Sequence, residues 1–305
     1  MIFKKLQLHD QHDINDILLP LGRNDSALGF ANLFSLTEKY HTEICIEDGV
    51  LFVRQLNRVA NAIAYYPPLG SQDMAREMQK IIDQSVADKM DLILVGFSAD
   101  DCQRVQDVMP DTFTFTSDRN FADYLYHTVD LATYQGPALA KKRREVNKFL
   151  SLYGEETCFE TITTEHVDEL RAYQYRWFET SRLHGTAEHD PELEHRKIFL
   201  DLNHFDELGL EGILVRINGV VEGYAYGCVL PGGAFDVMVL KGNLSFRFIW
   251  RTILRELAQF CQDKAEFMNL EEDLGLPGLR ENKMSYQPCE LMEKFQSQRL
   301  SPDNA

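Results

Sequence analysis

The stretch Gly212–Leu240 reads G-I-L-V-R-I-N-G-V-V-E-G-Y-A-Y-G-C-V-L-P-G-G-A-F-D-V-M-V-L, and its punctuation decides the fold. Two β-rich runs, Gly212–Ile217 and Val220–Leu230, are joined by Asn218-Gly219. That pair tolerates the positive φ that both central residues of a type I′ turn require, so the runs read as a hairpin. Ala234–Leu240 reads as a third strand. Upstream, Glu165–Leu183 and Pro191–Leu208 carry helical periodicity, and Pro191 suits a first helical turn. Downstream, Ser245–Gln262 is amphipathic with Ser245 placed as its N-cap, Phe267–Leu270 is a short strand, and Glu290–Gln298 is a final one.

The first half has the same rhythm. Ile14, Ile17, Leu18 and Leu21 recur at helical spacing, and Ala27–Tyr40 reads as a second helix. Thr42–Glu47 and Val50–Leu56 are joined by Asp48-Gly49, again a hairpin pair, and Ala60–Tyr66 is a third strand. Helix Gln72–Lys89, strand Asp91–Phe97, helix Ala99–Met109 and strand Asn120–Thr128 follow. Each half therefore reads helix, helix, three antiparallel strands, helix, strand, helix, strand. That is the element order of the GNAT acyltransferase fold. The expected class is α+β: two GNAT-like domains in tandem, each a mixed, mostly antiparallel sheet flanked by helices. The expected limits are residues 1–135 for the first domain, 136–153 for a basic linker helix, and 154–305 for the second domain with the active cleft.

Composition narrows the function. The chain has 305 residues, 44% hydrophobic and 26% charged, ordinary values for a globular protein of about two domains. No apolar run approaches the ~20 residues of a membrane span, and the N-terminus turns polar at Lys4-Lys5, so a cytoplasmic protein is expected. A formal charge of -17 excludes a generic DNA binder and opposes broad adhesion to anionic lipid. Contact with RNA would have to be local, through Lys141, Lys142, Arg143, Arg144 and Lys148. The six cysteines lack zinc-finger or C-x-x-C spacing and read as buried free thiols. The histidines and acids of His184–His189, with His195, lack metal-binding spacing, and no metal is expected. Trp177 and Trp250 read as core.

The segment Asn269–Pro288, N-L-E-E-D-L-G-L-P-G-L-R-E-N-K-M-S-Y-Q-P, is the most specific in the chain. A strand runs into Glu271, Glu272 and Asp273. A Gly-Leu-Pro-Gly turn leads to a short helix with Arg280 and Lys283 three apart on one face. The run Gly278, Leu279, Arg280, Lys283, Tyr286 and Pro288 resembles the end of the C-terminal domain of bacterial phosphatidylglycerol lysyltransferases and their relatives. Two copies of the fold in one chain also resemble the Fem-type peptidoglycan aminoacyltransferases. The resemblance covers about residues 25–298.

The resemblance implies an acyltransferase without a covalent intermediate or bound cofactor, with aminoacyl-tRNA or acyl-CoA as its donor substrate. A soluble amine or hydroxyl is the expected acceptor. Arg280 and Lys283 would hold a donor phosphate, and Glu271 or Asp273 would manage the amine. Asp236 lies within a strand and is a further candidate base. Asn269 would orient a polar group. Lys241 sits in the turn where CoA-dependent members seat pyrophosphate, but Leu240–Arg247 does not match their R/Q-x-x-G-x-G/A pattern, which favours a donor other than CoA. Relatives have a tyrosine-rich stretch before a basic helix; Tyr124, Tyr126 and Tyr134 fit it, and Arg143 and Arg144 are the expected phosphate contacts. Two alternatives stay open: a CoA-dependent N-acyltransferase, and a non-catalytic module that binds an anionic metabolite.

Overall fold

Both Asp-Gly and Asn-Gly pairs make the turns their chemistry favours. Asp48 and Gly49 have φ of 54° and 77°, and Asn218 and Gly219 have 53° and 77°. In each case left-handed residues twist the flanking strands together. The computed structural model describes residues 1–57, 62–184 and 191–298. Its strands are β1 (Lys4–Lys5), β2 (Glu43–Glu47), β3 (Val50–Asn57), β4 (Ala62–Tyr65), β5 (Asp91–Leu94), β6 (Phe115–Ser117), β7 (Asp123–His127), β8 (Thr157–Thr161), β9 (Glu211–Ile217), β10 (Val220–Val229), β11 (Phe235–Gly242), β12 (Phe267–Asn269), β13 (Glu290–Met292) and β14 (Phe295–Ser297). Its α-helices are α1 (Gln11–Leu18), α2 (Phe30–Ser35), α3 (Thr37–Tyr40), α4 (Met74–Asp88), α5 (Ala99–Val108), α6 (Thr128–Thr133), α7 (Ala140–Tyr153), α8 (Val167–His184), α9 (Pro191–Asn203), α10 (Ile249–Cys261) and α11 (Pro277–Met284).

The chain forms two compact units. Residues 1–23, 27–122 and 292–305 make the first; residues 24–26 and 123–291 make the second. These limits differ from the expected 1–135, 136–153 and 154–305. The basic helix α7 is part of the second unit, and the end of the chain belongs to the first. Strand β7, expected to close the first half, pairs antiparallel with β12 in the second unit. Strand β14 pairs antiparallel with β6 in the first. Each unit therefore takes a late strand from the stretch of chain that builds the other. Hydrophobic periodicity shows that a strand exists but not which edge it will join.

In the first unit the sheet order is β1-β2-β3-β4-β5, antiparallel except for the parallel pair β4 and β5. Helix α4 buries Met74, Met78, Ile81 and Ile82 on this core, whereas Val86 is exposed. Asp73 caps α4 by accepting the Arg76 N–H at 3.0 Å.

In the second unit the order is β13-β7-β12-β11-β10-β9-β8. Pairs from β8 to β11 are antiparallel, and β11 and β12 are parallel. The alternation of β10 splits its residues between two faces. Ala225 packs in the cluster that contains Val146 and Phe149 of α7 and Ile253 and Leu257 of α10. Tyr224 and Tyr226 face the other way, where their hydroxyls reach Gln174 of α8 and Asp201 of α9. Helix α10 starts later than expected. Ser245 does not cap it: residues 243–246 turn on themselves, with the Phe246 N–H on the Asn243 carbonyl at 3.0 Å, and Phe248 takes the cap position at φ 71°.

Candidate active site

Strands β11 and β12 pair only at Phe235↔Met268 and Asp236↔Asn269. Strand β11 then runs on to Gly242, while the chain leaves β12 through Glu271 in a left-handed conformation, φ 57°. The two strands part, and a cavity of about 670 Å³ opens between them. Val237 and Leu240 of β11, Leu270 after β12, Ile249 and Arg251 at the start of α10, and Asn282 of α11 are among its walls. Trp250, expected in the core, lies at this cleft with 36% of its surface exposed.

A bulge sits at the point of divergence. Between Tyr226↔Val239 and Cys228↔Asp236, β11 spends one residue more than β10. A bulge leaves one residue of β11 without a cross-strand partner on β10. Gly227 makes this possible: a Cβ there would lie 1.6 Å from the Asp236 carbonyl oxygen. A preorganised backbone N–H beside an apolar cleft can stabilise the oxyanion of acyl transfer.

The residues of 269–283 build the wall after β12. The side-chain amide of Asn269 donates to the Asn24 carbonyl at 2.9 Å and to Asp123 Oδ2 at 3.0 Å, while its oxygen accepts the Glu271 N–H at 2.7 Å. Arg280 donates two hydrogen bonds to Asp273, at 2.7 and 2.9 Å. The Tyr124 hydroxyl and the Gly275 N–H donate to the same carboxylate. Burial acts to raise the Asp273 pKa, but these donors prevail and hold it well below the usual carboxylate range. Lys283 turns its ammonium to the carbonyls of Leu270, Glu271 and Glu272, at 2.6, 3.1 and 2.5 Å. Three acceptors use its three donors.

The expectation that Arg280 and Lys283 point together at one anion is therefore corrected: both clamp the loop after β12. Asn269 fixes the loop in the same way. Arg143 donates to the carbonyls of Tyr134 and Gly136, at 2.6 and 3.4 Å, and so braces the approach to α7, while Arg144 is exposed on that helix. Lys241 lies on the α8 and α9 side, 2.8 Å from Glu194 and 3.8 Å above the Trp177 ring.

That side carries a buried polar group of residues. Lys197 donates to Asp201 Oδ2 at 3.1 Å, and Tyr226 donates to the same oxygen at 2.9 Å. Asp201 and Asp236 are fully buried. Burial opposes the Lys197 ammonium, but Asp201, Glu271 and Asp236 outweigh it and raise its pKa. Burial pushes the Glu271 carboxyl up to about 7, with Lys197 opposing. Glu271 and Asp236 thus join one electrostatic cluster at the mouth of the parted strands, and Asp273 does not: it is committed to Arg280. Lys197 and Asp201 escaped the sequence reading, although their i,i+4 spacing on a helix was visible.

All six cysteines are free; Cys45, Cys102 and Cys261 are buried and Cys228 is half-buried, but Cys158 and Cys289 are exposed, contrary to expectation. Among the described residues no group of three metal-ligating side chains occurs. Residues 185–190, which include the sequence His189 and its acids, lie outside the described residues. No described helix is long and apolar enough to cross a membrane.

Two mixed sheets with a parted pair of parallel strands are the architecture of tandem GNAT-like acyltransferases. The chain belongs to the family described as phosphatidylglycerol lysyltransferase, C-terminal, whose model matches residues 20–296. A conserved protein of unknown function from Bacteroides thetaiotaomicron is 28% identical, with a TM-score of 0.92 over 99% of this chain and 100% of that one. The structure of L-PGS from Bacillus licheniformis is similar in fold, with 12% identity and a TM-score of 0.69 over 100% of this chain and 95% of the other. The C-terminal domain of a putative lysylphosphatidylglycerol synthetase from Agrobacterium fabrum has 14% identity and a TM-score of 0.67, covering 95% and 91%. No curated protein sequence is a match.

Proposed function

We propose that the second unit transfers an aminoacyl group from an activated ester, aminoacyl-tRNA, to an amine or hydroxyl. The observation that carries this reading is the cleft where β11 and β12 part, with a bulge in β11 beside it and Leu270, the residue before Glu271, in its wall. The ester carbonyl sits against the bulge. The acceptor attacks it, the carbonyl oxygen takes the electron pair, and the bulge N–H stabilises the charge. Glu271 receives the proton released by the acceptor and returns it to the departing ester oxygen. A carboxyl with a pKa of about 7 suits that exchange near neutral pH. The chain's charge of -17 favours a soluble acceptor over an anionic membrane.

The test is transfer by the purified protein from aminoacyl-tRNA and, in parallel, from acetyl-CoA. Glu271→Gln is expected to lower turnover by about 10²–10⁴-fold with donor binding retained. Turnover of the wild type is expected to rise as pH passes through about 7, as the base loses its proton. Full activity in Glu271→Gln would sink the base assignment. Turnover of acetyl-CoA alone would replace the donor. Saturable binding without turnover of either would favour a non-catalytic module.

A further inference from the structure

We propose that Asp123, a carboxylate at the start of β7, is a positioning residue for Glu271: it sets the orientation of the Asn269 side chain, and Asn269 in turn holds Glu271 in its left-handed turn. The catalytic meaning of that position rests on the transfer reading above; the position itself does not.

Asp123 and Asn269 are both fully buried. The Asn269 amide donates one N–H to Asp123 Oδ2 at 3.0 Å and the other to the Asn24 carbonyl at 2.9 Å, and its oxygen accepts the Glu271 N–H at 2.7 Å. A carboxylate only accepts hydrogen bonds, so it draws the amide nitrogen toward itself. The amide oxygen is left to face Glu271. Turned end for end, Asn269 would set oxygen against oxygen at Asp123 and again at the Asn24 carbonyl, and would leave the Glu271 N–H without its acceptor. Asp123 therefore settles an orientation that an asparagine does not settle by itself.

Asp123 is itself held by a short excursion of the chain. Residues 24–26 belong to the second unit although the chain on either side of them belongs to the first. Ser26 gives Asp123 Oδ2 its backbone N–H at 2.8 Å and its hydroxyl at 2.9 Å. Asn24 Oδ1 accepts the Ala234 N–H at 3.0 Å, next to β11. At the far end of the network, Glu271 has φ of 57°. That conformation crowds the Cβ of an L-residue and persists only where the surroundings impose it. Its N–H goes to Asn269, and its carbonyl accepts from the Tyr124 N–H at 3.3 Å and from the Lys283 ammonium at 3.1 Å. Strands β7 and β12 and helix α11 thus fix both backbone groups of Glu271, and its carboxyl is left in the cluster with Lys197. The charges that act on this carboxyl are Lys197 of α9, Glu272 in the same loop, Lys283 of α11 and Asp123 itself; Asp201 and Asp236 act on the same lysine. Losing the Asp123 charge and freeing Glu271 from its buried place both lower the pH at which it titrates.

The readout is the Glu271 carboxyl resonance, identified by its loss in Glu271→Gln. Its midpoint near pH 7 is expected to fall by about half a pH unit or more in Asp123→Asn, since an asparagine there can offer Asn269 either end. Asn269→Ala is expected to lower it too. The double variant should fall no further than Asp123→Asn alone, because the second substitution removes what the first has already released. Should the variants fold poorly, the wild type gives a second measurement. The Asn269 side-chain amide protons are expected to exchange with solvent roughly a hundredfold more slowly than those of Asn203, which is exposed at the end of α9. In transfer assays, Asp123→Asn is expected to lower kcat by about tenfold or more with KM within about twofold, and the pH midpoint of kcat should follow that of Glu271. An unmoved midpoint in Asp123→Asn, shifts that add in the double variant, or an Asn269 amide that exchanges as fast as Asn203 overturns the proposal. A moved midpoint in a protein that transfers nothing would leave the positioning standing and remove the transfer reading alone.

Discussion

Glu271 and Asp273 stand two residues apart, and their pKa values are shifted in opposite directions. Asp273 accepts from Arg280, Tyr124 and Gly275, and its depressed pKa contributes stability that is present above the ordinary carboxylate range and lost as pH falls through the folded value. Glu271 is raised from 4.5 to about 7 by burial. Its folded form keeps a proton that the unfolded chain gives up, so its contribution is fully present below pH 4.5 and is lost as pH rises through 7. Glu271→Gln keeps the shape without the charge. It is expected to match the wild type near pH 4.5 and to exceed it by up to about 3 kcal/mol at pH 8, read by denaturant unfolding at several pH values. Equal stability at both pH values would contradict the buried, raised carboxyl. At this scale the acids, Arg280 and Lys283 were legible as a run of residue types. Their partners were not, because a carbonyl that satisfies an ammonium leaves no mark in the residue names.

Elements were legible where turn chemistry is local. Asp48-Gly49 and Asn218-Gly219 marked both hairpins. The bulge in β11 was hidden, since it exists only in the register between two strands. Gly227 is its trace. A methyl group there would meet the Asp236 carbonyl oxygen at 1.6 Å and Phe235 at 3.1 Å, so the strands must separate. Gly227→Ala is expected to cost about 3 kcal/mol or more, at the upper end of overpacking, and to abolish transfer by displacing the bulge. Gly278, in the first turn of α11, has nothing within 4 Å of its virtual Cβ. Gly278→Ala should instead gain about 0.5–1 kcal/mol from helix propensity and a less flexible unfolded chain. Thermal unfolding of the two variants checks the contrast; equal effects would mean that the close approach at Gly227 is not tight. The late start of α10 was illegible for a related reason: Asn243 and Phe246 form a turn that competes with a cap at Ser245.

At the level of the molecule, the last strand decides the integrity of the first unit. Phe295 exchanges backbone hydrogen bonds with Phe97, and the Ser297 hydroxyl accepts from the Leu94 N–H at 3.0 Å. Phe295 also packs against the core that holds Phe52, Leu94 and Phe97. Ending the chain after Met292 is expected to destabilise this unit by about 2–4 kcal/mol through lost burial and unmet hydrogen bonds. Hydrogen exchange should rise in β5 and β6 and stay unchanged in β10 and β11; uniform or absent change would refute the assignment of β14. The sequence by itself determined two copies of one element order, two hairpins, an acidic loop and a short basic helix. Those features depend on turn residues and periodicity over a few positions, and local chemistry specifies them. Tertiary structure alone decided that β7 and β14 exchange places, that β11 and β12 part after two residue pairs, and that Asp123 meets Asn269. Each of these joins groups far apart in the chain, where the outcome depends on which edge, carbonyl or carboxylate is nearest once the core has packed.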